Sequence, residues 1–282
     1  MRLNKTMKKS LLFLLGLFFV PMVFAANKER VISLGGSVTE IVYELGLGDS
    51  LIADDFSSLY PEAATHLPRV GYYRAVPVEG LVAMHPDLIL ASENAGPAHA
   101  LESVRKLGVE IVKVSDRASL ESLYERVRQI ARVLTVEDKG DALIEQIHAS
   151  VARAQARPGK NLKAALIINR TGTLQAAGSH TAASTLMSLA GLTNVLEPAQ
   201  QGYKAVSAES LVNFGPELII VTEGSVQASG GLEKLLRHPA IATTPAAINK
   251  RIVVMDDLLA LGLGPRVAQA IEQLKLASNA AQ

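Results

Sequence analysis

Glu79-Gly-Leu-Val-Ala-Met-His-Pro-Asp-Leu-Ile-Leu90 and Glu209-Ser-Leu-Val-Asn-Phe-Gly-Pro-Glu-Leu-Ile-Ile220 share Glu, Leu-Val, Pro, an acidic residue and Leu-Ile at a constant offset of 130 residues. Several matches at one offset predict two units of related design. Around the first copy, Arg30–Leu34, Pro86–Leu90 and Glu110–Val114 read as short apolar strands with helical segments between them. Ser37-Val-Thr-Glu40 fits a capping box that opens a helix ending near Gly46. Around the second copy, Lys163–Ile168 reads as a strand. Thr181–Leu189 reads as a helix closing at Ala190-Gly-Leu192, as the first closes at Leu45-Gly-Leu47. This alternation predicts an α/β fold with mainly parallel strands.

The two units are joined by helix. Leu120, Leu123, Tyr124, Val127, Ile130 and Leu134 sit at helical spacing. A second helical stretch runs from Glu137 to about Arg157, with Leu143, Ile144, Ile147 and Val151 on one stripe and Pro158-Gly159 at its end. At about 1.5 Å per residue, such a helix spans about 30 Å, the width of a domain. The expected organisation is an N-terminal α/β lobe over 26–135, a connecting helix over 136–158 and a C-terminal α/β lobe over 159–282. A ligand cleft lies between the lobes, because open α/β sheets bind outside the carboxyl ends of their strands. A long helix between the lobes predicts little hinge motion.

The first 25 residues read as an export signal. Arg2, Lys5, Lys8 and Lys9 precede an apolar run from Leu11 to Val20, followed by Pro21 and Val23-Phe-Ala25. A basic head, a short apolar stretch and small residues describe a signal peptide, with cleavage expected after Ala25. The run is too short for a membrane span, which needs about 20 apolar residues. Its removal takes four basic and no acidic residues, leaving 24 basic against 27 acidic over 257 residues. The chain has no Cys to carry a lipid at the cleavage point. The expectation is a free periplasmic protein that is not membrane-anchored.

Composition narrows the chemistry. With 49% hydrophobic and 20% charged residues, the chain can bury a large core. A formal charge of +1 gives no basic footprint for nucleic acid. Zero Cys excludes disulfides, Cys-based zinc, iron–sulfur clusters and cysteine nucleophiles. Gly35-Gly-Ser-Val-Thr39 lacks the last Gly of a nucleophile elbow, and no phosphate- or dinucleotide-binding fingerprint occurs. The six His residues show no metal-ligand spacing. The informative stretch is Leu67-Pro-Arg-Val-Gly-Tyr-Tyr-Arg-Ala-Val76 before Pro77. Pro77 suits the first turn of a helix, which leaves Tyr72, Tyr73 and Arg74 on a loop at the cleft mouth. A phenol beside a guanidinium is favoured as phenolate, and Tyr is an axial ligand of haem iron. From the residue types alone, tyrosines that only cap the core and a solvated Arg74 are the favoured reading.

From Arg30 to about Leu276 the chain resembles the periplasmic haemin-binding proteins of bacterial haem ABC importers. These belong to the rigid two-lobed, class III substrate-binding proteins that also serve cobalamin and siderophores. The resemblance is carried by Leu59-Tyr-Pro-Glu-Ala63, Leu67-Pro-Arg-Val-Gly-Tyr-Tyr-Arg74, Gly178-Ser-His-Thr-Ala-Ala183, Tyr203-Lys-Ala-Val-Ser-Ala-Glu209, Val253-Val-Met-Asp-Asp257 and Gly262-Leu-Gly-Pro-Arg266. It implies a non-enzymatic carrier of haem b, with Tyr72 as axial iron ligand, Arg74 as its support, Tyr73 as pocket wall and His180 as a second ligand or a rim residue. It further implies that Glu79 and Glu209, one per lobe, dock to the transporter's permease subunits, with an outer-membrane haem receptor system upstream. The same architecture accommodates cobalamin or a ferric siderophore. An exported α/β enzyme is the alternative from another class, but it would need a polar constellation that the sequence lacks.

Overall fold

The computed structural model describes residues 29–280. The export signal and the cleavage position after Ala25 lie outside the described residues. Among the described residues ten strands form two sheets: β1 (Val31–Leu34), β2 (Leu51–Ala53), β3 (Leu88–Ser92) and β4 (Glu110–Val114) in the first, and β5 (Lys163–Asn169), β6 (Leu174–Ala177), β7 (Thr193–Asn194), β8 (Tyr203–Ala205), β9 (Leu218–Thr222) and β10 (Ile252–Met255) in the second. The first sheet is wholly parallel in the order β2-β1-β3-β4, with Val31 opposite Leu88 and Leu88 opposite Glu110. The second runs β10-β9-β5-β6-β8, with β7 pairing β5. Its β10-β9-β5 portion is parallel, whereas β6 pairs antiparallel with both β5 and β8. The α/β class and the mainly parallel sheets stand as the alternating sequence predicts.

Side chains alternate across each sheet with the period of two expected of a strand. Val31, Leu88 and Leu90 enter a central core, whereas Ile32, Leu34, Ile89 and Ala91 enter an outer core beneath the helices Val78–Val82 and Ala98–Lys106. In the second sheet Ala164, Leu166 and Ile220 face the central core, while Ala165, Ile167 and Ile219 face an outer one. The central core is shared. It joins Val38, Ile41 and Val42 of the first lobe to Leu186, Met187, Leu259, Val267 and Ile271 of the second, through Leu143, Ile147 and Val151 of the helix Glu137–Ala156. Interiors pack at crystal-like density, so two lobes on one core resist separation.

Polar contacts reinforce this junction. Buried Arg126, on the helix Leu120–Val133, donates through Nη1 to Ser37 Oγ at 2.5 Å and to the Leu263 carbonyl at 3.5 Å. Thr185 Oγ1 donates to the Ala118 carbonyl at 2.7 Å. Arg266 crosses to Glu40 of the helix Gly36–Glu44, Nε to Oε1 at 3.0 Å.

This arrangement corrects the capping-box reading. The helix begins after Gly35 at φ 116, and no side chain caps it. Ser37 and Glu40 lie inside the helix instead, where Ser37 accepts from buried Arg126 of the helix Leu120–Val133 and Glu40 accepts from Arg266, which the tail of the second lobe brings to this face. Strand β3 also begins at Leu88 rather than Pro86: Pro86 has no N–H for a ladder, and the Asp87 N–H donates to the Arg30 carbonyl.

Candidate functional site

Open α/β sheets bind ligands beyond the carboxyl ends of their strands, and the first sheet carries polar side chains there. Strand β2 is followed directly by Asp54-Asp55, both fully buried. Residues 54–56 run beside residues 68–71: Asp54 N–H donates to the Pro68 carbonyl, Val70 N–H to the Asp54 carbonyl, and Phe56 N–H to the Gly71 carbonyl. Gly71 sits at φ 117, and a Cβ there would meet Pro77 Cδ at 3.0 Å, so this turn requires glycine. Farther along, the Gly96 N–H donates to the Tyr73 carbonyl and the Val76 N–H to the Gly96 carbonyl. The Tyr72–Arg74 segment is thus sewn to two strand-end loops.

On that segment Tyr72, Tyr73 and Arg74 come together. The Tyr72 and Tyr73 rings meet edge to face, with centroids 5.0 Å apart. Arg74 Nε donates to the Tyr73 hydroxyl at 2.8 Å, and its guanidinium lies 5.2 Å from the Tyr73 ring centroid. Arg74 is therefore seated on Tyr73, not on Tyr72. Burial pushes the Tyr73 phenol up to about 12, with the nearby Asp116 carboxylate adding to the rise and Arg74 opposing it. Tyr73 is a neutral, half-buried wall. Tyr72 remains 46% exposed, and its hydroxyl forms no hydrogen bond among the described residues. Phe56, Leu59 and Tyr60, on the neighbouring loop, are also exposed large apolar side chains. Four such residues within 17 positions give this region exposed aromatic and apolar surface of the kind that ordinarily marks a binding site.

The second lobe contributes Tyr203. Burial pushes its phenol up to about 12, although the Ala183 N–H and the Thr181 hydroxyl interact with the oxygen and Arg74 lowers it. Tyr203 lies within electrostatic reach of Arg74 and Tyr72. The residue sequence readings passed over is thus Tyr203, and the signal was present. Tyr73-Arg-Ala-Val76 with Glu79 recurs as Tyr203-Lys-Ala-Val206 with Glu209, at the same offset of 130.

His180 precedes Thr181, which caps the helix Ala182–Leu189 by accepting from the Ser184 N–H. His180 is exposed, adopts a left-handed φ of 59, and forms no hydrogen bond or ion pair among the described residues. A non-glycine residue in that region is strained, which the surrounding fold must over-determine. Glu79 lies in the first turn of the helix Val78–Val82, and Glu209 in the first turn of the helix Ala208–Phe214. Both are exposed and without ion pairs among the described residues. No group of three or more His, Cys, Asp or Glu poised for a metal ion occurs among the described residues. Nor does any described helix have the length and apolarity to cross a membrane.

Residues 31–259 match the family model described as periplasmic binding protein. The chain belongs to the periplasmic binding protein family. Its members serve ABC import as substrate-binding proteins and are not enzymes. Over 270 residues, 95% of this chain and 96% of the relative, the binding protein is 31% identical to the vitamin B12-binding protein of Vibrio vulnificus strain CMCP6. Among solved structures it resembles the apo form of the periplasmic heme-binding protein RhuT from Roseiflexus sp. RS-1, with a TM-score of 0.84 and 33% identity, covering 89% of this chain and 97% of that one. It also resembles the periplasmic heme-binding protein BhuT in complex with two hemes, with a TM-score of 0.81 and 32% identity, covering 88% and 98%.

Proposed function

We propose that this binding protein captures ferric haem b between its lobes in the periplasm and hands it to the permease subunits of an ABC transporter. The observation that carries the reading is Tyr72: a half-exposed phenol without a hydrogen-bond partner, on a pinned loop, with a guanidinium one residue beyond its neighbour. Phenolate oxygen is an established axial donor to haem iron. The exposed Phe56, Leu59 and Tyr60 supply apolar surface for the flat faces of a porphyrin. Tyr73 and Tyr203, both held neutral, serve as walls on opposite sides. His180 stands beside the second wall as a second iron ligand or a rim residue. Glu79 and Glu209 present one carboxylate per lobe to basic residues of the permease, an arrangement that gives orientation and rate more than affinity. An outer-membrane haem receptor system is the natural upstream donor.

Cobalamin is the second reading, supported by the vitamin B12-binding relative at 31% identity. The two are separated by titrating purified protein with haemin and with cyanocobalamin, following absorption and heat, and repeating both with Tyr72→Ala. Haemin should give a high-spin ferric–phenolate spectrum that Tyr72→Ala abolishes. Saturable cyanocobalamin binding without a haemin spectrum would replace haem by cobalamin as cargo.

A further inference from the structure

Asp55 is fully buried yet has no place in the cargo chemistry just described. Its carboxylate collects five donors. Oδ1 accepts from the Gly35 N–H at 2.9 Å, from Ser57 Oγ at 2.9 Å and from Ser58 Oγ at 3.3 Å. Oδ2 accepts from the Ser57 N–H at 3.0 Å and from the Tyr73 N–H at 3.0 Å. One side chain therefore ties the end of β1, the loop after β2 and the Tyr72–Arg74 segment to a single point. The carboxylate is acceptor-only, so all five contacts suit the ionised form. Hydrogen bonds to an ionised acceptor are about twice as strong as neutral ones.

The adjacent acid secures the other end of the same segment. Asp54 lies 2.8 Å from Arg69 Nη1, and that Nη1 also donates to the carbonyls of Asp55 and Ser58 at 2.5 and 3.0 Å. Consecutive acids at the end of β2 thus hold Arg69 and Tyr73, with Val70, Gly71 and Tyr72 spanning between them. The span leaves Tyr72 exposed while fixing the backbone on its C-terminal side.

We infer that Asp55 is the positioning residue for the cargo loop: its carboxylate, by holding the Tyr73 N–H against the end of β1, fixes where Tyr72 presents its phenol. A loop that occupies the binding geometry only part of the time weakens apparent affinity by that fraction. Releasing one charge-assisted bond is of the order that changes such an equilibrium tenfold.

This inference rests on the haem reading for its spectral arm, and amide exchange tests it without cargo. In the wild-type apo protein the Tyr73 amide should exchange far more slowly than the Tyr72 amide, which has no partner among the described residues. Asp55→Asn places an NH2 group where at least one donor must be met. It should speed exchange at Tyr73, weaken haemin about tenfold or more, and shift the ferric–phenolate bands toward a mixed or weaker-ligand form. Val104→Ala, a core truncation behind the first sheet, controls for stability loss and should leave both readouts in place. Equal exchange at Tyr72 and Tyr73 in the wild type overturns the inference even if Asp55→Asn fails to fold. So does an Asp55→Asn protein with wild-type exchange and haemin spectrum. A wild-type protein with a slow Tyr73 amide and no haemin spectrum instead sinks the haem reading and leaves the loop clamp standing.

Discussion

Arg266→Ala removes the cation facing Glu40, a carboxylate with only 2% of its side chain exposed. Arg266 answers that carboxylate through its backbone N–H at 3.1 Å and through Nε at 3.0 Å, while its guanidinium lies 3.6 Å from the centroid of the Tyr60 ring. The substitution keeps the backbone contact and deletes the charge, and breaking a buried pair from one side costs about 3–5 kcal/mol. For a chain of this size each kcal/mol moves Tm by about 2 °C, so Tm should fall by about 6–10 °C at pH 8. Burial already raises Glu40 above the ordinary carboxylate range despite Arg266, and losing Arg266 raises it further. A group raised on folding favours the native state most when protonated, so the penalty is largest at high pH and shrinks as pH falls toward 5. Thermal melts of wild type, Arg266→Ala, Glu40→Gln and the double variant at pH 5 and pH 8 read this directly. The double variant should recover part of the Arg266→Ala loss, since no buried charge is then left alone. A fall below about 2 °C, or an equal fall at both pH values, would show that Arg266 serves stacking on Tyr60 rather than the charge of Glu40.

Asp54 predicts a second pH effect. Burial pushes it from the ordinary 3.8 to about 7, because the charge of Arg69 offsets only part of the desolvation. Its contribution to stability is complete below about pH 4 and lost as pH rises through about 7, so Asp54→Asn should flatten the wild-type decline in urea midpoint between pH 5 and pH 8; a wild-type midpoint constant across that range would contradict the burial. The docking surface is tested by Glu79→Lys with Glu209→Lys. Haemin affinity should be unchanged, while transporter-dependent uptake falls about tenfold or more, and unimpaired uptake would remove both residues from the permease interface.

Fold class was legible because binary pattern and turn chemistry carry it. The Pro-acid-Leu-Ile strands and the Leu143–Val151 stripe locate β3, β9 and the connecting helix within two residues. The junction between lobes was illegible for a physical reason. Glu40 reads locally as the last member of a capping box, and only the arrival of Arg266, 226 positions later, turns it into a buried ion. Arg126 is equally opaque: a lone arginine on a helix reads as solvated, yet it is fully buried because Ser115, Asp116, Ser37 and Leu263 converge on it. Asp55 gave no signal either, since its five donors come from four residues scattered between Gly35 and Tyr73, three of the bonds from backbone N–H groups that no side-chain pattern marks.

The internal repeat carries more about the site than its helix-strand portion first indicates. Extended backward, it pairs Tyr73 with Tyr203 and Arg74 with Lys204, and it brings Glu79 and Glu209 to the first turns of matching helices. The two duplicated phenols share one physical state: both are pushed up to about 12 by burial and stay neutral. Tyr72 breaks the pattern, because the position matching it is Gly202. A neutral phenol can line a pocket from either lobe, but an anionic donor to iron is needed on one axial side only. In the proposed haem site Tyr72, exposed and unmatched in the second lobe, meets that asymmetric requirement, and the paired tyrosines meet the symmetric one.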